Sequence, residues 1–291
     1  MRGSKGLRFV ALLMAFFLLL DCAAVLIGTR YIAAGYVWMD DFEITRRDHP
    51  EKVWDKVFFG NSAVISAYRE DVSQSGYVNL GLDYGVVTDL WDMLRRGHID
   101  IGSELVVGLN YLTLYDDLET NPSYLWHRGT LEPYVYFQRD DLFQLCKDAA
   151  KAVLGREVSP PHGGMEKTYY YGSLSGVQLE EKMALYEENY FHLPMEDFAG
   201  NLSALQKVAD WCGEHGVRLR VIWMPWNPSA EQPELSLRLR DAAAELCAGA
   251  GAEFWDFGGG LDATCFHDVG HLNYEYGAYR FTEEVDQWLA S

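Results

Sequence analysis

From residue 56 onward, short apolar runs alternate with helix-patterned stretches, and this alternation constrains the fold more than any other feature of the chain. Residues 56–59, 77–81, 104–109, 218–224 and 252–256 read as strands. Residues 63–69, 86–96, 138–154, 178–190, 198–215, 233–250 and 274–289 read as helices. In 86–96, for example, Val86, Val87, Leu90, Met93 and Leu94 share one face. Gly216 stands where a C-terminal helix cap is expected, and Pro225 and Pro228 stop the fourth strand. Strands separated by helices predict a parallel sheet of about five strands covered on both faces, a three-layer, flavodoxin-like α/β domain over 55–291. Ligands of such sheets bind beyond the carboxyl ends of the strands. Ser62, Gly81 and Asn110 each follow a strand directly, so they are expected along one edge.

Composition narrows the function classes. A chain of 291 residues, 49% hydrophobic and 23% charged, holds one large domain or two small ones and is not compositionally disordered. The net charge of −19 repels phosphates, which argues against nucleic acid and anionic lipid as partners over most of the surface.

The N-terminus reads differently. Residues 9–28 are apolar apart from Asp21, and Arg2, Lys5 and Arg8 precede them with no acidic residue. This predicts a transmembrane anchor over 9–34, a cytoplasmic tail over 1–8 and a stalk over 35–54. The protein would then be single-pass in the cell membrane, attached through its N-terminal helix, with the domain outside the cytoplasm. A cleaved signal peptide is the rival reading, and Leu19-Leu20-Asp21-Cys22 only loosely resembles a lipobox. Asp21 inside the span is costly unless paired, which suggests a membrane-protein partner as the alternative to simple tolerance. Cys146, Cys212, Cys247 and Cys265 match no zinc pattern, and buried free thiols are the expectation.

Chemistry concentrates at the two ends of the domain. Gly60-Asn61-Ser62 places a serine after the first strand, and Asp268-Val269-Gly270-His271 places an aspartate three residues before a histidine ahead of the last helix. A serine hydroxyl needs a base to remove its proton, and the base needs an orienting carboxylate. Ser62, His271 and Asp268 supply these roles. Donors for a developing oxyanion are the backbone N–H groups of Ser62 and Gly81 and the side-chain amide of Asn110. Aromatic residues of the 112–197 insertion (Trp126, Tyr134, Tyr136, Tyr169, Tyr170 and Tyr171) either stack on sugar rings or pack the insertion against the core.

These blocks resemble those of the SGNH (GDSL-type) hydrolase superfamily. Gly60-Asn61-Ser62 is similar to the first block, with Asn61 where aspartate is usual. Asn79-Leu80-Gly81 is similar to the second. Gly108-Leu109-Asn110 is similar to the third, with Tyr111 where aspartate is usual, and Asp268-Val269-Gly270-His271 to the last. The middle of the chain, about 112–197, resembles nothing specific. With an anchor, the chain is similar to members that modify cell-surface polymers, as in teichoic-acid D-alanylation and alginate O-acetylation. The resemblance implies serine-dependent O-acyl transfer on an extracytoplasmic polysaccharide or teichoic-type polymer, with a membrane-bound O-acyltransferase as partner and no metal or organic cofactor. A carbohydrate or lipid esterase, and a catalytically silent scaffold for such an acyltransferase, are the alternatives.

Overall fold

A computed structural model describes residues 3–33, 39–127, 139–158 and 165–290. In chain order the elements are α1 (Gly3–Ala33), α2 (Asp41–Asp48), β1 (Trp54–Gly60), α3 (Ser62–Ala67), β2 (Val78–Gly81) and α4 (Val87–Arg95). Next come β3 (Ile101–Leu109), α5 (Tyr111–Leu114), α6 (Arg139–Val153), α7 (Gly176–Tyr186) and α8 (Ala199–His215). The chain closes with β4 (Arg218–Trp223), α9 (Glu234–Ala250), β5 (Glu253–Asp256) and α10 (Gly277–Leu289). Two compact units divide them: Met1–Arg47 with Ser123–Glu166, and Asp48–Pro122 with Lys167–Ser291.

The second unit carries the sheet. All five strands are parallel, in the order β2-β1-β3-β4-β5. Register explains the apolar runs of the central strands. Phe58 pairs with Val106, and Phe59 with Val107, which pairs with Val221. Alternate residues therefore face opposite sides, and both sides are covered. Phe58, Val106 and Ile222 pack on one face with Val64 and Ala67 of α3 and Phe281 and Val285 of α10. Each such side chain contributes about 1.5–3 kcal/mol when fully buried. Gly216 ends α8 with φ 68°, in the left-handed conformation that its position predicts.

Two strand glycines set where α3 can lie. A Cβ on Gly60 would stand 2.2 Å from Cγ2 of Val64, and one on Gly108 2.5 Å from the same atom. Any side chain there would push α3 off the strand ends. With glycine at both, α3 starts immediately beyond β1, at the point where the chain leaves β1 for β2 on one side and later returns to β3 on the other. That reversal of strand order is where open α/β sheets form their ligand crevice.

The N-terminal expectations are corrected. Among the described residues no helix is long and apolar enough to cross a membrane. The transmembrane anchor over 9–34 is therefore withdrawn. With it go the membrane attachment through the N-terminal helix, the single-pass cell-membrane location and the extracytoplasmic placement that depended on it. The side chains of Asp21 and Cys22 lie outside the described residues. Part of the expected stalk is helix α2, in which Phe42, Glu43, Ile44 and Thr45 are buried. Its charged sequence hid a buried face.

Candidate functional site

Ser62 opens α3, and Asn61 caps it: the Asn61 Oδ1 accepts from the Ala63 N–H at 2.9 Å. The same device recurs one strand away. Asn110 caps α5, its Oδ1 accepting from the Thr113 N–H and Oγ1, each at 2.9 Å. The two capping amides also meet, with Asn61 Nδ2 donating to Asn110 Oδ1 at 3.0 Å and Asn110 Nδ2 to Asn61 Oδ1 at 3.3 Å. Asn110 thus has its oxygen committed to the fold and its nitrogen bonded to Asn61. An amide nitrogen carries two protons, so one is left for a group in the adjoining cavity, which Asn110 lines.

Ser62 Oγ lies 2.9 Å from His271 Nε2. On the other side of the ring, His271 Nδ1 lies 2.9 Å from Asp268 Oδ2 and 3.0 Å from Oδ1. The three-residue spacing works because the aspartate closes a turn on itself: Asp268 Oδ1 accepts from the backbone N–H of Gly270 at 3.0 Å and of His271 at 2.8 Å. Asn227 ties this turn to the loop after β4, donating from Nδ2 to the Asp268 carbonyl at 2.9 Å. Asp268 is fully buried. Burial pushes its carboxyl up, but the charges and hydrogen bonds of His271 and Lys182 outweigh it and hold the group well below the usual carboxylate range. The histidine is thereby given a fixed acceptor for Nδ1–H, which leaves Nε2 to receive a proton from Ser62.

Two neighbours of this triad were not assigned to it from the sequence. Lys182 of α7 pairs with Asp268 Oδ2, and its ammonium sits over the Tyr186 ring at 5.6 Å. Tyr170 stacks on the His271 ring with centroids 4.2 Å apart and planes 28° apart. Burial is the main reason that the Tyr170 hydroxyl is pushed up to about 12, with the charges of Asp83 and Asp268 adding to it. The segment bearing Tyr170 is stitched to the histidine loop: Leu174 N–H donates to the His267 carbonyl at 2.8 Å, and Tyr274 N–H to the Tyr170 carbonyl at 2.8 Å. No local pattern signals a lysine or tyrosine for such a place. The helical pattern of α7 put Lys182 on a helix but not opposite Asp268.

The other expected residues fall elsewhere. The Gly81 N–H donates to the Asn79 side-chain oxygen at 2.9 Å, while Asn79 Nδ2 donates to the carbonyls of Tyr68 and Val64 at 2.7 and 3.2 Å. Gly81 is thus part of a clamp between β2 and α3, and its amide proton is already used. Among the tyrosines, Tyr169 packs on Tyr274 at 4.5 Å, and Tyr171 is exposed beside the same ring at 5.6 Å. Trp126 belongs to the first unit, buried and stacked on Tyr124 at 5.0 Å. Tyr134 and Tyr136 lie outside the described residues. Among the described residues, Cys146, Cys212, Cys247 and Cys265 are free thiols, and burial pushes Cys212 and Cys247 up to about 12. No group of three or more His, Cys, Asp or Glu among the described residues is placed to hold a metal ion.

The cavity opens beside the serine. Ser62, Asn110 and His271 form its polar edge, and Tyr111, Leu112, Tyr186, Met224, Trp226 and Val269 its apolar wall. An ester carbonyl seated there would have a hydroxyl nucleophile, a base beyond it and the Asn110 amide as a donor. The Ser62 N–H, in the first turn of α3, has no intrahelical acceptor and is a second donor. No family model matches this sequence, and no match is found among curated proteins.

Proposed function

We propose that the chain is a serine-dependent acyl-transfer enzyme of SGNH type, acting on an ester and passing the acyl group to a sugar or polyol hydroxyl or to water. The observation that carries this reading is the unbroken hydrogen-bonded line from Ser62 Oγ through His271 to Asp268, with both contacts at 2.9 Å. Ser62 Oγ attacks the ester carbonyl while its proton passes to His271 Nε2. Asp268 stabilises the imidazolium that forms, and the oxyanion is met by the Ser62 N–H and the Asn110 amide. Collapse of the tetrahedral centre breaks the bond to the leaving alcohol, which takes the proton from His271. The acceptor hydroxyl then gives its proton to His271 and attacks the acyl-serine, restoring Ser62.

The blocks that resemble SGNH hydrolases supply every residue of this line. Gly81 is the exception among the resemblance-implied donors, since Asn79 holds its amide, so the reading rests on two oxyanion donors.

The test is fluorophosphonate labelling of the full chain beside Ser62→Ala and His271→Ala. Labelling of the wild type that disappears in both variants is expected. A folded wild type that does not label would overturn the reading and leave a binding or scaffolding role as the alternative.

A further inference from the structure

Asp268 takes four donors on its two carboxylate oxygens, and one of them comes from outside the histidine turn. Oδ1 accepts from the backbone N–H groups of Gly270 and His271, and Oδ2 from His271 Nδ1 and from the ammonium of Lys182. These fill the roughly four acceptor positions that a carboxylate offers. Lys182 belongs to α7, a helix with no buried residue. Core packing therefore does not press its side chain against Asp268. The carboxylate is 1% exposed and the lysine 27% exposed, so a half-solvated cation reaches in to a fully buried anion.

That reach bears on the state of the base. A general base must be neutral before it takes a proton. A neutral imidazole gives a buried carboxylate a hydrogen bond but no countercharge, and a buried charge left uncompensated is costly. With no other cation present, Asp268 would hold His271 as the imidazolium, which cannot accept the Ser62 proton. Lys182 supplies the countercharge while His271 is neutral. The other titratable groups around the pair do not. Tyr170 stacks on the His271 ring, Tyr186 of α7 carries the Lys182 ammonium over its own ring, and Tyr111 of α5 is buried, its hydroxyl without a hydrogen-bond partner among the described residues. Burial pushes all three hydroxyls up, so they stay uncharged. Asp83 and Tyr84, after β2, act on Tyr170, and Asp83 has the sign that favours the imidazolium. The His267 ring packs on Tyr170 at 5.2 Å.

Resting on the acyl-transfer reading, we infer that Lys182 is a positioning residue of the site: its ammonium compensates the buried Asp268 carboxylate, so that His271 stands neutral and takes the Ser62 proton. It acts through Asp268 and not on the substrate. When Ser62 gives up its proton, His271 becomes a second cation on Asp268. Lys182 keeps that proton from staying there, and it passes to the leaving alcohol.

The experiment follows kcat/KM of the full chain on 4-methylumbelliferyl acetate from about pH 5 to about pH 9, for the wild type and for Lys182→Met, Lys182→Gln and Lys182→Arg. The acid limb of this profile belongs to the coupled group of Asp268, His271 and Lys182 rather than to one residue. Removing the charge is expected to move that limb up by about one pH unit in both Lys182→Met and Lys182→Gln. The loss is then about tenfold below the limb and shrinks toward nothing above it. Lys182→Arg keeps the charge and is expected to keep the wild-type limb. A limb that stays in place in Lys182→Met and Lys182→Gln, with a loss equal at every pH, would overturn the inference and leave acyl transfer standing, with Lys182 a tie between α7 and the Asp268 turn. His267→Gln is measured beside them, and a limb that moves in it but not in Lys182→Met would overturn the inference as well. No turnover at any pH, together with no fluorophosphonate labelling of the wild type, would overturn both readings.

Discussion

Ser62 and Asn110 reach the cavity by local means, whereas Tyr170 and Lys182 reach His271 and Asp268 from far along the chain. On the first side, each residue stands directly after a strand, and a short polar side chain satisfies the helix that begins there. Thr113, the partner that orients Asn110, lies three positions away. On the second side, Lys182 meets Asp268 across 86 positions of sequence, and Tyr170 is held to the histidine loop by backbone hydrogen bonds between distant segments. The difference is one of cause. A cap is an interaction of the chain with its immediate neighbours, so its two partners are given by the local sequence. An ion pair over such a separation exists only when α7 and the Asp268 turn have both docked. Ser62 is positioned by secondary structure, and the electrostatic setting of Asp268 and His271 by tertiary structure.

Several substitutions would break or sharpen that contrast. The largest effect is expected for His271→Ala and Asp268→Ala, each lowering kcat by about 10³–10⁴ on an activated ester, measured under saturating conditions. A loss below tenfold in either would mean the line from Ser62 to Asp268 is not used. Asn110→Ala acts on the local side. It removes an oxyanion donor, worth about 10²-fold in kcat, and a helix cap, worth about 1 kcal/mol in a urea melt. If only the melt changes, Asn110 is a cap and nothing more.

Lys182→Met tests the distant side. Asp268 keeps His271 but loses one charged partner, and the lysine is partly exposed (27%), so the expected fall in kcat is about tenfold. Tyr170→Phe keeps the ring on His271 and is expected to change kcat by less than about threefold, whereas Tyr170→Ala removes the stack and is expected to cost about tenfold. Equal losses in the two variants would assign the role to the hydroxyl instead.

Acid stability offers a test of Asp268 that does not require catalysis. An unfolded aspartate ionises near about 3.9, and in the folded protein Asp268 is held lower despite burial, by His271 and Lys182. Its stabilising contribution is therefore fully present above about pH 4 and is lost as pH falls through the lower folded value. The difference in unfolding free energy between wild type and Asp268→Asn is expected to be largest near neutral pH and to shrink below about pH 4. A difference that stays flat across that range would contradict the ion pairing.

Much of the architecture was legible in the chain. β1 to β4 lie where largely apolar runs end in Gly, Asn or Pro, because a strand covered on both faces is apolar at most positions; β5, half-buried at the sheet edge, is marked by Phe254 and Trp255. That Ser62, Asp268 and His271 could meet was legible for a related reason: Ser62 stands just past a strand end and Asp268 and His271 share one short turn. The misreadings have physical causes too. Helix α2 was hidden because Asp41, Glu43, Arg46 and Arg47 outnumber Phe42 and Ile44, although the buried face decides its packing. The anchor was inferred from a run of apolar letters, whereas among the described residues no helix is long and apolar enough to cross a membrane.

By itself, then, the sequence determined the parallel sheet, the edge at which a site can form and the three side chains that line up there, because all of these follow from periodicity and from contacts a few residues long. Tertiary structure alone decided that Lys182 would join Asp268, that Tyr170 would cover His271, that Asn79 would occupy the Gly81 amide, and that the Tyr111 hydroxyl would be buried without a partner. Those are contacts or enclosures between segments far apart in the chain, or in the Asn79 case a choice between competing acceptors. Their free energy depends on distances that no local pattern encodes.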